Sequence, residues 1–218
     1  MTDTTIYLGS FAIHEPVTAF TDYIITCIGF LYFFKLKAFK SNNPIITGWS
    51  RFFLFIGLST LFGGTSHALF AVHSGIAYKM FWLSMQGLNG FAVFFAQHAT
   101  LKSVLKNAKS RNTWKWSYLI QLALFIPTAI IVQNYLVTII DNAIALIPIM
   151  ILHFAGKPKE RYYNWIAYGI LISFITAFVH GIKFSLHAYF NYNDIAHVFI
   201  MMSLTVMFMG AKQKAISL

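Results

Sequence analysis

The stretch ITCIGFLYFFKLKAFKSNNPIITGWSRFFLFIGLSTLF, residues 25–62, decides the fold. An apolar run rich in Phe, Ile and Leu ends at Lys35, Lys37 and Lys40. A short polar link follows, and beyond Arg51 a second apolar run begins. Each run approaches the ~20 residues that a helix needs to cross ~30 Å of hydrocarbon. Short links dense in Lys and Arg between such runs carry the signal that orients membrane proteins.

Working outward, the same layout recurs along the chain. Seven spans are expected, at roughly 17–35, 52–72, 80–101, 116–133, 137–154, 162–183 and 194–211. The fourth and fifth are short and contain Pro127 and Pro148, where helices kink. Hydrophobic residues make up 58% of the chain and charged residues 10%, too few charges to solvate a domain of this size. The formal charge of +10 would otherwise point to nucleic acid. Its placement in links argues for topology instead, and no nucleic acid partner is expected.

Of the sixteen Lys and Arg, fourteen fall in the first, third and fifth connections and the tail; only Lys79 and Lys183 fall on the other side. The segment before the first span holds Asp3 and Glu15 but no cation. The expectation is therefore an all-α bundle of seven transmembrane helices, one membrane domain over residues 1–218. Its N-terminus would be outside and its C-terminus cytoplasmic, in the cell (inner) membrane and surrounded by membrane lipids. The segment lacks the basic region of a cleaved signal peptide, so the first span should be retained. Cys27 is the only cysteine, which excludes an intrachain disulfide; it reads as a small apolar residue.

With that orientation the polar residues concentrate in the outer half. Glu15, Thr18 and Asp22 open the first span, and Thr65, Ser66 and His67 close the second. Gln86 and Asn89 open the third, Asp141 and Asn142 the fifth. His180 and His187 close the sixth, and Asn193, Asp194 and His197 open the seventh. Ionisable groups at membrane depth face a bundle interior or a wet cavity, so one outward-facing polar site is the simplest account. Glu15 and Asp194 have a second reading, as carboxylates at the positive ends of helices. His98 and His153 have one as interfacial or capping groups, and His187 as a loop residue. Gly169, Ser173, Ala177 and Gly181 form a small-residue stripe that fits close helix packing. Trp114, Trp116, Tyr162, Tyr163 and Trp165 fit an aromatic belt at the basic side.

Glu-Pro-Val-Thr-Ala-Phe-Thr-Asp at 15–22, Gly-Gly-Thr-Ser-His at 63–67 and Asn-Tyr-Asn-Asp-Ile-Ala-His at 191–197 together carry a resemblance. The chain resembles bacterial seven-helix proteins distantly similar to the alkaline ceramidase, adiponectin-receptor and Per1-like (CREST) superfamily. That resemblance implies an intramembrane zinc amide hydrolase. It implies Ser-x-x-x-His on the second helix, Asp on the third and His-x-x-x-His on the seventh. His67 and His197 match two of the histidines. Asn193 replaces the third, Gly63 stands at the serine position with Ser66 beside His67, and the third span has no Asp. An amide is a poor zinc ligand.

A metal set of His67, His180 and His197, or a carboxylate from Asp22 or Asp194 in place of one imidazole, would repair the match. Asp22, Ser66 and Asp194 are then the candidate catalytic groups. Zn²⁺ with an open position would polarise a carbonyl and activate a water. The substrate would be an amide or ester of a lipid-like molecule. The competing expectation is a non-catalytic protein that binds a lipid or small molecule and lacks the metal. A haem protein using His67 with His197 and His98 with His153 is a third. A microbial-type rhodopsin is disfavoured, because the last span has no lysine before Lys212.

Overall fold

The structure, a computed structural model, describes residues 4–40, 42–70, 75–156 and 161–217. Asp3, Lys157 and Lys159 of the charge pattern lie outside the described residues. Seven helices follow a short hairpin: β1 (Thr5–Leu8), β2 (Phe11–His14), α1 (Pro16–Lys37), α2 (Pro44–Phe70), α3 (Ile76–Val104), α4 (Ala108–Val132), α5 (Tyr135–Phe154), α6 (Arg161–Ile182) and α7 (Tyr192–Ile216). Six are long and apolar enough to cross a membrane; α3 is the exception. Its 29 residues include Gln86, Asn89, Gln97 and His98, which dilute its apolar character. The outward faces carry Phe34, Leu124, Ile131 and Phe178, a surface suited to lipid. The chain is a helical, multi-pass membrane protein.

The hairpin departs from an all-α reading. Its strands pair antiparallel from Thr5 with His14 to Leu8 with Phe11. The turn rests on Gly9 at φ 65°, a conformation in which a side chain is strained. Helix α2 also begins eight residues before the expected 52. Asn43 Oδ1 accepts the Ile45 N–H at 2.9 Å, and Pro44 takes the first helical position, where its missing donor costs nothing.

Helices α1, α2, α3, α5, α6 and α7 follow one another around a ring that closes from α7 to α1, and α4 lies outside against α3 and α5. Cross-helix bonds give the directions. Thr18 pairs with Asp194, Thr21 with His197 and Tyr32 with Thr205, ascending in both chains, so α1 and α7 run parallel. Tyr23 with Thr65 and Thr26 with Thr60 run in opposite order, so α1 and α2 are antiparallel.

The end bearing the basic links is filled. Trp49, Phe53, His153, Tyr162 and Ile166 are fully buried there, and Trp49 Nε1–H donates to the Tyr162 hydroxyl at 2.9 Å. Tyr162 and Tyr163 therefore belong to the core and not to the aromatic belt, whereas Trp114, Trp116 and Trp165 are exposed. His153 is enclosed as well, with Nδ1 on the Ile149 carbonyl of its own helix at 2.9 Å. Without a hydrophobic drive between helices in lipid, close approach depends on small residues. A β-carbon at Gly29 would lie 2.8 Å from Gly57 Cα, backbone against backbone. Gly29→Ala is expected to lower stability by about 1–3 kcal/mol. Gly87→Ala, with nothing within 4 Å, should be neutral or stabilising; thermal unfolding in detergent compares the two.

Candidate functional site

At the opposite end the helices enclose a cavity of about 690 Å³. Its wall includes Asp22, Ser66, His67, His180 and His197, five of the six residues the sequence singles out, and also Glu15, Gln86 and Asn193. The stripe on α6 explains part of this space. Gly169 is crowded by Met207 and Ser203 of α7, whereas Gly181 has nothing within 4 Å and, with Ala177, faces the cavity. The small residues give contact at one end and volume at the other.

Glu15 occupies the N-cap position of α1 but makes no side-chain cap bond. Its backbone sits at φ 40°, ψ 55°, left-handed and strained for a residue with a side chain. The Glu15 N–H donates to the Thr4 carbonyl at 2.8 Å and its carbonyl accepts the Ala19 N–H at 2.9 Å. The hairpin and the helix thus pin it from both sides. The carboxylate swings off the helix end and meets His67 Nδ1 of α2. That contact holds the Glu15 carboxyl below the usual carboxylate range, against the opposing effect of burial. Beside the dipole reading, Glu15 makes a cross-helix hydrogen bond to an imidazole. An acceptor on Nδ1 fixes the proton there and leaves His67 Nε2 with its lone pair.

A second pair lies across α1 and α7. Thr21 Oγ1 donates to backbone carbonyls of Val17 or Thr18 at 3.0 Å and lies 2.7 Å from His197 Nδ1. On the other side of the ring, His197 Nε2 faces Asp22 Oδ1 at 3.5 Å. Asp22 itself fills room that α2 leaves open. A β-carbon at Gly63 would lie 3.1 Å from Asp22 Oδ2, so the carboxylate stands beside the position that the resemblance assigns to serine.

Asp194 is placed differently. It is fully buried and absent from the cavity wall. Its Oδ2 accepts the Asn191 N–H at 2.7 Å and its Oδ1 the Thr18 hydroxyl at 2.8 Å. Asn191 Oδ1 in turn accepts the Asn193 N–H at 2.8 Å. This is a capping box, in which reciprocal bonds satisfy the orphan donors of a helix start. Part of the 191–197 motif is therefore helix punctuation. Asp194→Ala should cost about 1–2 kcal/mol, read by thermal unfolding, and leave the cavity's ligand chemistry in place.

A three-histidine zinc site can be tested against these positions. His67, His180 and His197 share the cavity. Asp22 and His197 sit near the ~3.3 Å expected between two ligands of a tetrahedral ion. His180, however, packs its ring against Tyr192 at 5.2 Å and Tyr135 at 5.9 Å. Among the described residues no three His, Cys, Asp or Glu side chains converge as a ligand set. Of the histidines that a paired-haem arrangement would use, His98 has its Nδ1 on the Tyr118 hydroxyl at 3.1 Å and His153 is packed into the core.

Sequence reading understated one residue. Gln86 of α3 is fully buried in the cavity wall. Thr138 of α5 donates to its Oε1 at 3.0 Å, which orients the amide. Its Nε2 has no hydrogen-bond partner, the one buried side-chain polar atom among the described residues in that state. The hydropathy dip in α3 was its only signal.

The family match extends over residues 17–216, from the first turn of α1 to the end of α7. The chain belongs to DUF6962, a family of unknown function. No curated protein matches it, and no solved structure does. The match includes the Asp22, His67, Gln86 and His197 positions of this DUF6962 chain and begins two residues after Glu15.

Proposed function

We propose that this DUF6962 chain binds an amphiphilic small molecule or lipid-like ligand in the cavity between its helices. The Gln86 amide carries the reading. A buried donor without an acceptor costs about 1–3 kcal/mol, and a group in that state calls for an explanation. It lies in the wall of a space of drug-like size, beside two acid–imidazole pairs. The amide is sealed from the space as it stands; turned into the cavity, its free N–H groups would be taken by a carbonyl, carboxylate or phosphate oxygen of a ligand. The ligand's apolar part would lie against Ile56, Trp82, Leu136 and Ile200.

Organic extraction and native mass spectrometry of purified protein test this. A retained amphiphile is expected on the wild type and should be lost from His67→Ala/His197→Ala. A wild type that carries no adduct, and gains no thermal stability from any acyl amide, ester or acid, sinks the reading.

Hydrolysis of an amide or ester in that ligand is the second reading. It is favoured by the Glu15–His67 pair, which leaves Nε2 able to accept a proton from water, with Asp22 and His197 able to return one. Turnover of acyl-amide or acyl-ester probes that disappears in His67→Gln while binding survives would establish it. The full count of seven spans, with the N-terminus outside the cell membrane, belongs to the same proposal. It is supported by the parallel run of α1 and α7 and by the charge pattern. Cysteines placed at Lys106 and Lys183 should label from opposite sides of sealed vesicles.

A further inference from the structure

The basic links are expected to orient the chain, but one of them also builds a pocket. His98, Lys102, Arg111, Asn112 and Lys115 surround about 220 Å³ between the end of α3 and the start of α4. No carboxylate lines it, and none of its three cations forms an ion pair among the described residues. The four described acids are engaged elsewhere: Glu15 with His67, Asp22 facing His197, Asp194 in its cap and Asp141 with Gln121. Among the described residues, three cations converge with nothing to neutralise them.

A second space adjoins this one. A groove of about 550 Å³ runs between α4 and α5 over α3, and Leu101 and Tyr118 line both. From Trp114 to Thr128 on α4, and from Val137 to Leu152 on α5, it extends about 21 Å along the helices. That exceeds the ~15 Å of one hydrocarbon leaflet. Its walls are mostly apolar or aromatic, with Ile and Leu the commonest residues. The polar groups on its floor satisfy one another: Gln97 donates to Gln121 at 2.8 Å, and Gln121 to the Asp141 carboxylate at 2.8 Å. Asp141, the groove's one carboxylate, lies toward the end away from the cations. The groove exists because α4 stands outside the ring and is buried over only 17% of its apolar window.

We propose that a single anionic phospholipid occupies both spaces, its phosphate among Lys102, Arg111 and Lys115 and an acyl chain in the α4–α5 groove. Charge complementarity selects the head, since basic pockets between membrane helices hold anionic headgroups. The continuous apolar groove selects a chain-bearing molecule over a free anion. The lipid fills the gap between α4 and the ring and thereby fixes that helix.

The test places the full chain in nanodiscs of phosphatidylcholine, with or without phosphatidylglycerol, and counts lipid retained in native mass spectrometry. The wild type should retain phosphatidylglycerol in preference. Lys102→Ala/Arg111→Ala/Lys115→Ala should weaken that preference on the order of a hundredfold. Lys35→Ala/Lys37→Ala/Lys40→Ala, which removes equal charge from another basic link, should keep it. Equal retention by the first variant, or equal loss from the second, overturns the proposal. Inorganic phosphate and glycerol phosphate, added to phosphatidylcholine discs, are expected to give no rise in Tm. Full protection by either would assign the pocket to a free anion and overturn the lipid.

Discussion

Glu15→Gln lowers the stability of the protein by about 1.5–3 kcal/mol, the range for a hydrogen bond to a charged group, and His67→Phe does the same. The double variant loses little more than either alone, because both substitutions remove one interaction. The pH dependence has a definite sign. His67 holds the Glu15 carboxyl below its ordinary value in the folded chain. Its contribution is therefore complete above the unfolded carboxylate range and is lost as pH falls through that range toward the lowered folded value. Thermal unfolding across that acid window should show the wild type weakening while Glu15→Gln stays flat. Parallel curves would mean that the pair contributes nothing to folding. The effect should be large because Glu15 also carries a left-handed backbone; without His67 to meet, that strain has no compensating contact.

Gln86 should respond in the opposite direction. Gln86→Met/Thr138→Val replaces both polar partners with apolar groups, which is close to neutral or stabilising when the shape is kept. It also removes a donor that has no partner in the folded chain. The ligand-free double variant is expected to melt higher than the wild type by an amount equivalent to about 1–3 kcal/mol. Its affinity for any amphiphile that the wild type binds should fall by tenfold or more. A gain in stability paired with a loss of binding distinguishes a site from a packing defect. If stability rises and binding is unaffected, the amide serves no ligand and the proposed function loses its main support.

The helices were legible because their signals are local. Apolar runs of helical length, ended by Lys35 or Lys102, mark the spans from composition alone. The earlier start of α2 was visible in principle, since Asn43-Pro44 is a helix-opening pair. The alternation through Ile6, Leu8 and Ile13 with Gly9 at the turn announces the hairpin. Both lay outside the apolar runs on which the reading depended. The site was legible only as a set of residues at one depth. That Asp22, Ser66, His67, His180 and His197 share a cavity follows from helical spacing and alternation. Their pairings do not, because Glu15 and His67 are 52 residues apart and meet through a backbone conformation that no pattern encodes. Asp194 shows the converse. Its neighbours made it look like chemistry, whereas the Asn191-x-x-Asp194 spacing is that of a capping box.

The hairpin bears on how the protein can be handled. β2 rests on α2, and the bond from Glu15 N–H to Thr4 sets the dihedral angles that send the carboxylate to His67. Residues 4–14 are thus a brace for one wall of the cavity. Trimming them, or fusing a bulky affinity tag at that end, would release Glu15 without touching any membrane-spanning residue. Purification handles belong after α7, at the far end of the bundle from the cavity.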